Sequence, residues 1–233
     1  PPPPAAPVSS SPAAGVTVVP RGILAVVDAS KGGINAAWRA AVVARDHGRP
    51  LQLVTIQSHA AGAAAARARL QEVAGRLEQR TQARTTTPAV EGDLRECIVG
   101  LAADKELVVV PWQRSTSWFD RMLGTLPERL LRWVEAPVLV VRRPATSRYR
   151  RVLAPAELGA RAGLPLAVAR YMARGQGLRV FHVLETGPEA SLRVADISDH
   201  ALETYRLRRR ERAYADLNAL LERSGVGAAG PAA

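Results

Sequence analysis

Glu106-Leu107-Val108-Val109-Val110 is the strongest strand signal in the chain, an unbroken apolar run of the kind that fills a parallel strand covered on both faces. Downstream of it the pattern gives a helix over 125–134, closed by Glu135-Ala136-Pro137, and a last strand at 138–141. Upstream lies a helix over 93–103, and before that a short third strand is expected within 88–91. A long helix over 61–84 places Leu70, Val73, Ala74 and Leu77 on one face and arginines on the other. Further back come a strand at 51–56, an Ala-rich helix over 35–46 and a first strand, Ile23-Leu24-Ala25-Val26-Val27. Gly32 and Gly33 are expected to break the chain ahead of the Ala-rich helix, which His47-Gly48-Arg49-Pro50 stops. Strands alternating with helices predict an α/β fold, an open parallel five-stranded sheet with helices on both faces, over residues 21–144.

The chain then repeats itself in part. Val152-Leu153-Ala154 matches Ile23-Leu24-Ala25 at an offset of 129 residues, and the strand beginning at Leu178 matches the one beginning at Leu51 at an offset of 127. A helix over 164–173 lies between them and a long helix over 200–223 follows. Equivalents of the third, fourth and fifth strands are not found, so residues 149–224 read as a partial second unit, with 225–233 as a tail of small residues. The Pro-, Ala- and Ser-rich opening, residues 1–20, reads as a linker. It has no methionine at its start and no secretory pattern, which suggests a chain processed or cut from something longer.

Composition narrows the function classes. The hydrophobic fraction is 47% while aromatics supply 4%, so burial must come from Ala, Val, Leu and Ile. No apolar run approaches the roughly 20 residues that cross a bilayer, and the chain is expected to be cytoplasmic. The net charge of +11 is almost all arginine, Lys31 and Lys105 being the lysines. Codon bias explains such a charge as well as a nucleic-acid or acidic-membrane partner does, and nucleic acid is not the expected partner. Cys97 is the single cysteine, expected as a buried structural thiol in its helix. His47, His59, His182 and His200 are scattered without metal-ligand spacing, and no nucleophile elbow, Walker loop or Rossmann fingerprint occurs. No metal, no catalytic residues and no enzymatic activity are expected. The run Arg206-Leu207-Arg208-Arg209-Arg210-Glu211-Arg212 is the densest charge cluster and is read as a solvated helix face, with Tyr205, Ala213, Leu217 and Leu220 turned inward.

Taken in order, Ile-Leu-Ala-Val-Val-Asp28-Ala-Ser30, the strand at 106–110, Leu123-Gly124-Thr125 and Ala136-Pro137-Val-Leu-Val-Val-Arg142 resemble a universal stress protein. The resemblance covers the first unit and, more weakly, the partial second, and implies a fold of the adenine nucleotide alpha hydrolase type. It also implies a regulatory module of the stress response that binds ATP or AMP at the carboxyl end of the sheet. The family's signature is Gly, two residues, Gly, nine residues, then Gly followed by Ser or Thr. Counted back from Gly124-Thr125, the second glycine falls on Arg114 and the first on Pro111. Glycine lets an oxyanion approach a backbone closely, whereas proline removes a donor, so the site is expected to be degenerate and ATP or AMP binding weak or lost.

Candidate nucleotide-binding residues are therefore Asp28, Ser30, Arg114, Gly124 and Thr125, with Lys31 as a lesser one. Each has an alternative reading. Asp28 suits an Asx-type turn, Thr125-Leu126-Pro127-Glu128 suits a capping box, and Arg114 suits a solvated loop. Trp112 and Trp118 either cover the loop or anchor it to the sheet. In the second unit Pro155 and Ala156 stand where the acid would be, so that half is not expected to bind nucleotide alone. Family members pair through the last strand, here Val138, Leu139, Val140 and Val141, which implies a homodimer or an edge left for a larger assembly. The Pro-rich opening also fits the cytosolic regulatory domain of a membrane transporter or channel.

Overall fold

The computed structural model describes residues 21–28, 30–55, 63–88, 90, 93–113, 124–158, 163–184 and 198–225. The chain divides between Pro144 and Ala145 into two compact units. In the first, β1 (Ile23–Val27), β2 (Leu51–Thr55), β3 (Thr85–Thr86), β4 (Leu107–Pro111) and β5 (Val138–Val141) form one parallel sheet in the order β3-β2-β1-β4-β5. The connecting helices are α1 (Lys31–His47), α2 (Ala63–Thr81), α3 (Leu94–Ala102) and α4 (Leu126–Trp133).

Every residue of the central β1 is buried, as sequence position and sheet position together require of a strand covered twice. One face, through Leu24, Val26, Val54, Val108 and Val110, packs against Ile98 and Ala102 of α3 and Leu126 and Leu130 of α4. Helices α1 and α2 lie against the sheet as well. Helix α1 does so through a strip of alanines, among them Ala36, Ala37, Ala40 and Ala41, whose small side chains allow close approach. Helix α2 uses Ala66, Leu70, Ala74 and Leu77, with Val73 half-buried beside them.

Three expectations are corrected. Helix α1 begins at Lys31, so Gly32 and Gly33 belong to its first turn and do not break the chain. Gly33 is there for space, since a Cβ on it would lie 2.1 Å from the carbonyl oxygen of Asp28. The third strand is Thr85–Thr86 and not within 88–91. The Thr81 hydroxyl donates to the Leu77 carbonyl, and Gln82 then takes a left-handed conformation (φ 60°), which turns the chain into the sheet at once. Pro88 has no N–H with which to extend that pairing. Cys97 is half-buried, not buried, because it flanks the inward stripe that Ile98 and Ala102 define.

Proline sits inside β4, at its last position. Val108 and Trp112 donate their N–H groups to the Pro137 and Val141 carbonyls on the β5 side, both at 2.9 Å. Position 111 alternates with them and faces β1, where proline has no hydrogen to give. The register pairs between β1 and β4 accordingly run from Ile23↔Leu107 to Ala25↔Val109 and stop.

In the second unit β6 (Val152–Pro155) and β7 (Leu178–Phe181) pair in parallel, with α5 (Gly163–Ala173) between them and α6 (Asp199–Arg223) after. Ala154, Leu166, Ala169, Leu220 and Leu221 form its core, with Val152, Leu178, Val180 and Leu217 packed against them. Among the described residues this unit has two strands. The linker at 1–20 and the tail at 226–233 lie outside the described residues. No helix among the described residues is long and apolar enough to cross a membrane.

Candidate functional site

Strand order reverses at β1, which has β2 on one side and β4 on the other. Open α/β sheets form their crevice outside the carboxyl ends of the strands at such a point. Asp28 follows β1 there, half-buried, and its carboxylate is tied to the start of α1. Asp28 Oδ1 accepts the N–H of Ser30 at 3.2 Å and also the Ser30 hydroxyl. Ser30 Oγ in turn accepts the N–H of Gly33 at 3.0 Å and caps the helix. The structure thus joins two candidates, Asp28 and Ser30, into one capping chain. Lys31 is exposed at the first position of α1.

Gly124 and Thr125 are joined in the same manner at the other candidate position. Gly124 has φ 83°, which glycine adopts without strain, and Thr125 is the N-cap of α4. The Thr125 N–H donates to Glu128 Oε2 at 2.6 Å and the Thr125 hydroxyl donates to the same oxygen at 3.1 Å. The N–H bond of Thr125 above all, then its hydroxyl, holds the Glu128 carboxyl below the usual glutamate range, with Arg132 adding to it. The amino end of α4 therefore already carries a carboxylate where an incoming phosphate would need free donors.

Pro111 approaches α1 closely, a Cβ on Gly32 falling 3.7 Å from Pro111 Cβ. Trp112 is exposed and stacks on Arg142, whose guanidinium lies 4.8 Å from the ring centroid. Arg114, Trp118 and His59 lie outside the described residues. Among the described residues no three His, Cys, Asp or Glu side chains gather at metal-binding distance.

A cavity of about 310 Å³, which no sequence motif announces, lies on the β2 side of β1. Val27, Ile34, Thr55 and Leu70 line it, Asp28 stands in its wall, and Arg76 of α2 faces it. Gly124, Thr125 and Pro111 are not in that lining, so the candidates fall into two places. The amphipathic spacing of α2 carried the one available signal, since it puts Arg69 and Arg76 beside an apolar stripe.

In the second unit Pro155 is exposed, Ala156 is buried, and the Ala156 carbonyl lies 2.8 Å from His182 Nδ1. The arginines from 206 to 212 point in several directions around α6, because neighbours on a helix are about 100° apart. Arg209 is half-buried with its guanidinium 5.7 Å from the Tyr205 ring, while Leu207 and Tyr214 are exposed. Leu220 is buried, and Tyr205, Ala213 and Leu217 are half-buried.

No family model and no curated protein matches the sequence. Among solved structures the chain is similar to a universal stress protein from Archaeoglobus fulgidus, with 19% identity over 52% of this chain and 97% of that one, at a TM-score of 0.42. It is similar to one from Lactobacillus plantarum, with 18% identity, coverage of 52% and 97%, and a TM-score of 0.44. It is also similar to a universal stress protein solved in complex with cAMP, with 22% identity, coverage of 52% and 96%, and a TM-score of 0.44.

Proposed function

We propose that this chain is a universal-stress-type regulatory module that acts by binding and assembly, with a nucleotide site that has lost its phosphate cradle. The observation that carries the reading is the pair of bonds from Thr125 to Glu128 Oε2, which commits the N–H and the hydroxyl of Thr125 to a carboxylate. Pro111 works in the same direction, because it stands where the signature that the resemblance implies has its first glycine, and its ring occupies the space a glycine would leave for an oxyanion. The ordered motifs around Asp28, Gly124 and Arg142 support the stress-protein class. Assembly through the edge of β5 is the route this reading favours.

A second reading, weak binding of ATP or AMP, draws on the cavity beside Asp28, whose volume lies at the small end of ligand pockets, roughly 300–1,000 Å³. Calorimetric titration of the whole chain with ATP, AMP and cAMP decides between them. The first reading expects no binding in the micromolar range. Micromolar ATP affinity that disappears in Asp28→Ala would replace it with the second.

A further inference from the structure

The two faces of the β6–β7 sheet are unlike. Val152, Ala154, Leu178 and Val180 pack inward on Leu166, Ala169, Leu220 and Leu221. The alternate residues point the other way, and there Leu153 is 65% exposed and Phe181 39%, with Pro155 and Arg179 exposed beside them. In register, Leu153 stands next to Arg179 and Pro155 next to Phe181.

The internal repeat says what such a face requires. At the repeat offsets, positions 153, 155 and 181 correspond to Leu24, Val26 and Val54. In the first unit those three are buried under α3 and α4. Helices α5 and α6 take the places of α1 and α2, so the second unit has one of its two helical layers. Among the described residues nothing stands in for the other. Parallel strands of α/β proteins are covered on both faces, and an exposed contiguous apolar face marks an interaction site.

We propose that this face is a docking surface for an amphipathic helix of another protein, one whose apolar stripe covers Leu153 and Phe181 and whose flank sets a carboxylate against Arg179. The size fits one helix. Two strands about 4.8 Å apart make a strip close to the roughly 10 Å diameter of a helix, and four residues run about 13 Å, or some two and a half turns. The charge sets the flank. The paired residues Val-Leu-Ala-Pro and Leu-Arg-Val-Phe carry one arginine and no carboxylate. A second copy of the chain laid on this face would bring two arginines and no strand carboxylate into the interface, whereas an acidic flank neutralises the charge as water leaves.

The test uses the whole chain and two labelled synthetic peptides of about 18 residues, long enough to form helix. Both carry leucines at helical spacing, flanked by glutamates in one and by lysines in the other. Fluorescence anisotropy is expected to show the glutamate peptide binding about tenfold or more tighter. Arg179→Glu, an exposed substitution, is expected to reverse that preference, and Leu153→Ser to weaken both peptides while circular dichroism stays unchanged. The proposal fails if neither peptide binds, if the two bind equally, or if Arg179→Glu leaves the order of affinity as it was. Self-association that Leu153→Ser abolishes would overturn it in favour of a second copy.

Discussion

The carboxylate of Glu128 receives both the N–H and the hydroxyl of Thr125, so the first turn of α4 is closed on itself. The bond from the Thr125 N–H lowers the pKa of Glu128 in the folded state, and the sign of the effect follows. A carboxyl whose folded pKa lies below its unfolded one contributes stability above the unfolded value and loses it as pH falls through the folded one. Thermal unfolding is expected to show Glu128→Gln lowering the melting temperature at neutral pH. The gap between variant and parent should close under acid conditions, and a gap that persists unchanged there would refute the account.

Gly33 and Gly32 are neighbours with opposite tolerance. A Cβ on Gly33 would lie 2.1 Å from the Asp28 carbonyl oxygen and 2.2 Å from its carboxylate, whereas on Gly32 its nearest contact, Ser30 Oγ, is at 3.5 Å. Gly33→Ala is expected to cost about 2 kcal/mol or more. Gly32→Ala should be neutral or stabilise by up to about 1 kcal/mol through helix propensity. Denaturant titrations of the two variants measure the contrast.

Leu24 and Leu153 stand 129 residues apart, the offset at which the two strand phrases match, with 0% and 65% exposure. Leu24→Ala is expected to cost about 2–5 kcal/mol and Leu153→Ala to stay within about 0.5 kcal/mol. Equal losses in chemical denaturation would show the second face to be covered in solution.

Strand β5 pairs with β4 and is an edge of its sheet. The Pro137 and Val141 carbonyls face β4, so by alternation the N–H of Val140 faces outward. Val140→Pro removes that outward donor without taking one from the β4 ladder. Sedimentation at rising concentration is expected to show self-association of the parent and a shift towards monomer in the variant. A parent that stays monomeric throughout would rule out assembly by this edge.

The order of strands and helices was legible because apolar runs such as Leu107-Val108-Val109-Val110 and the stripe of α2 reflect burial directly. The start of α1 was not, because glycine breaks a helix by propensity yet serves one where space is short, and the closeness of Asp28 to Gly33 is a matter of folding. Thr85–Thr86 escaped notice since two residues hold no periodicity. At the candidate site, local partners such as Asp28 with Ser30 and Thr125 with Glu128 can be read from spacing. The cavity cannot, because Asp28 and Arg76 come to line one space only once α1 and α2 have packed.

Pro111 gives the sheet an unlatched end. The rung that would follow Ala25↔Val109 has no hydrogen to close it, and the register pairs between β1 and β4 end there. Amide exchange should consequently quicken towards that end of the seam while the amino end, with its full ladder, stays slow. The place where a ligand would enter is then also the place where this sheet is expected to open first, with an imino acid in the strand setting how far.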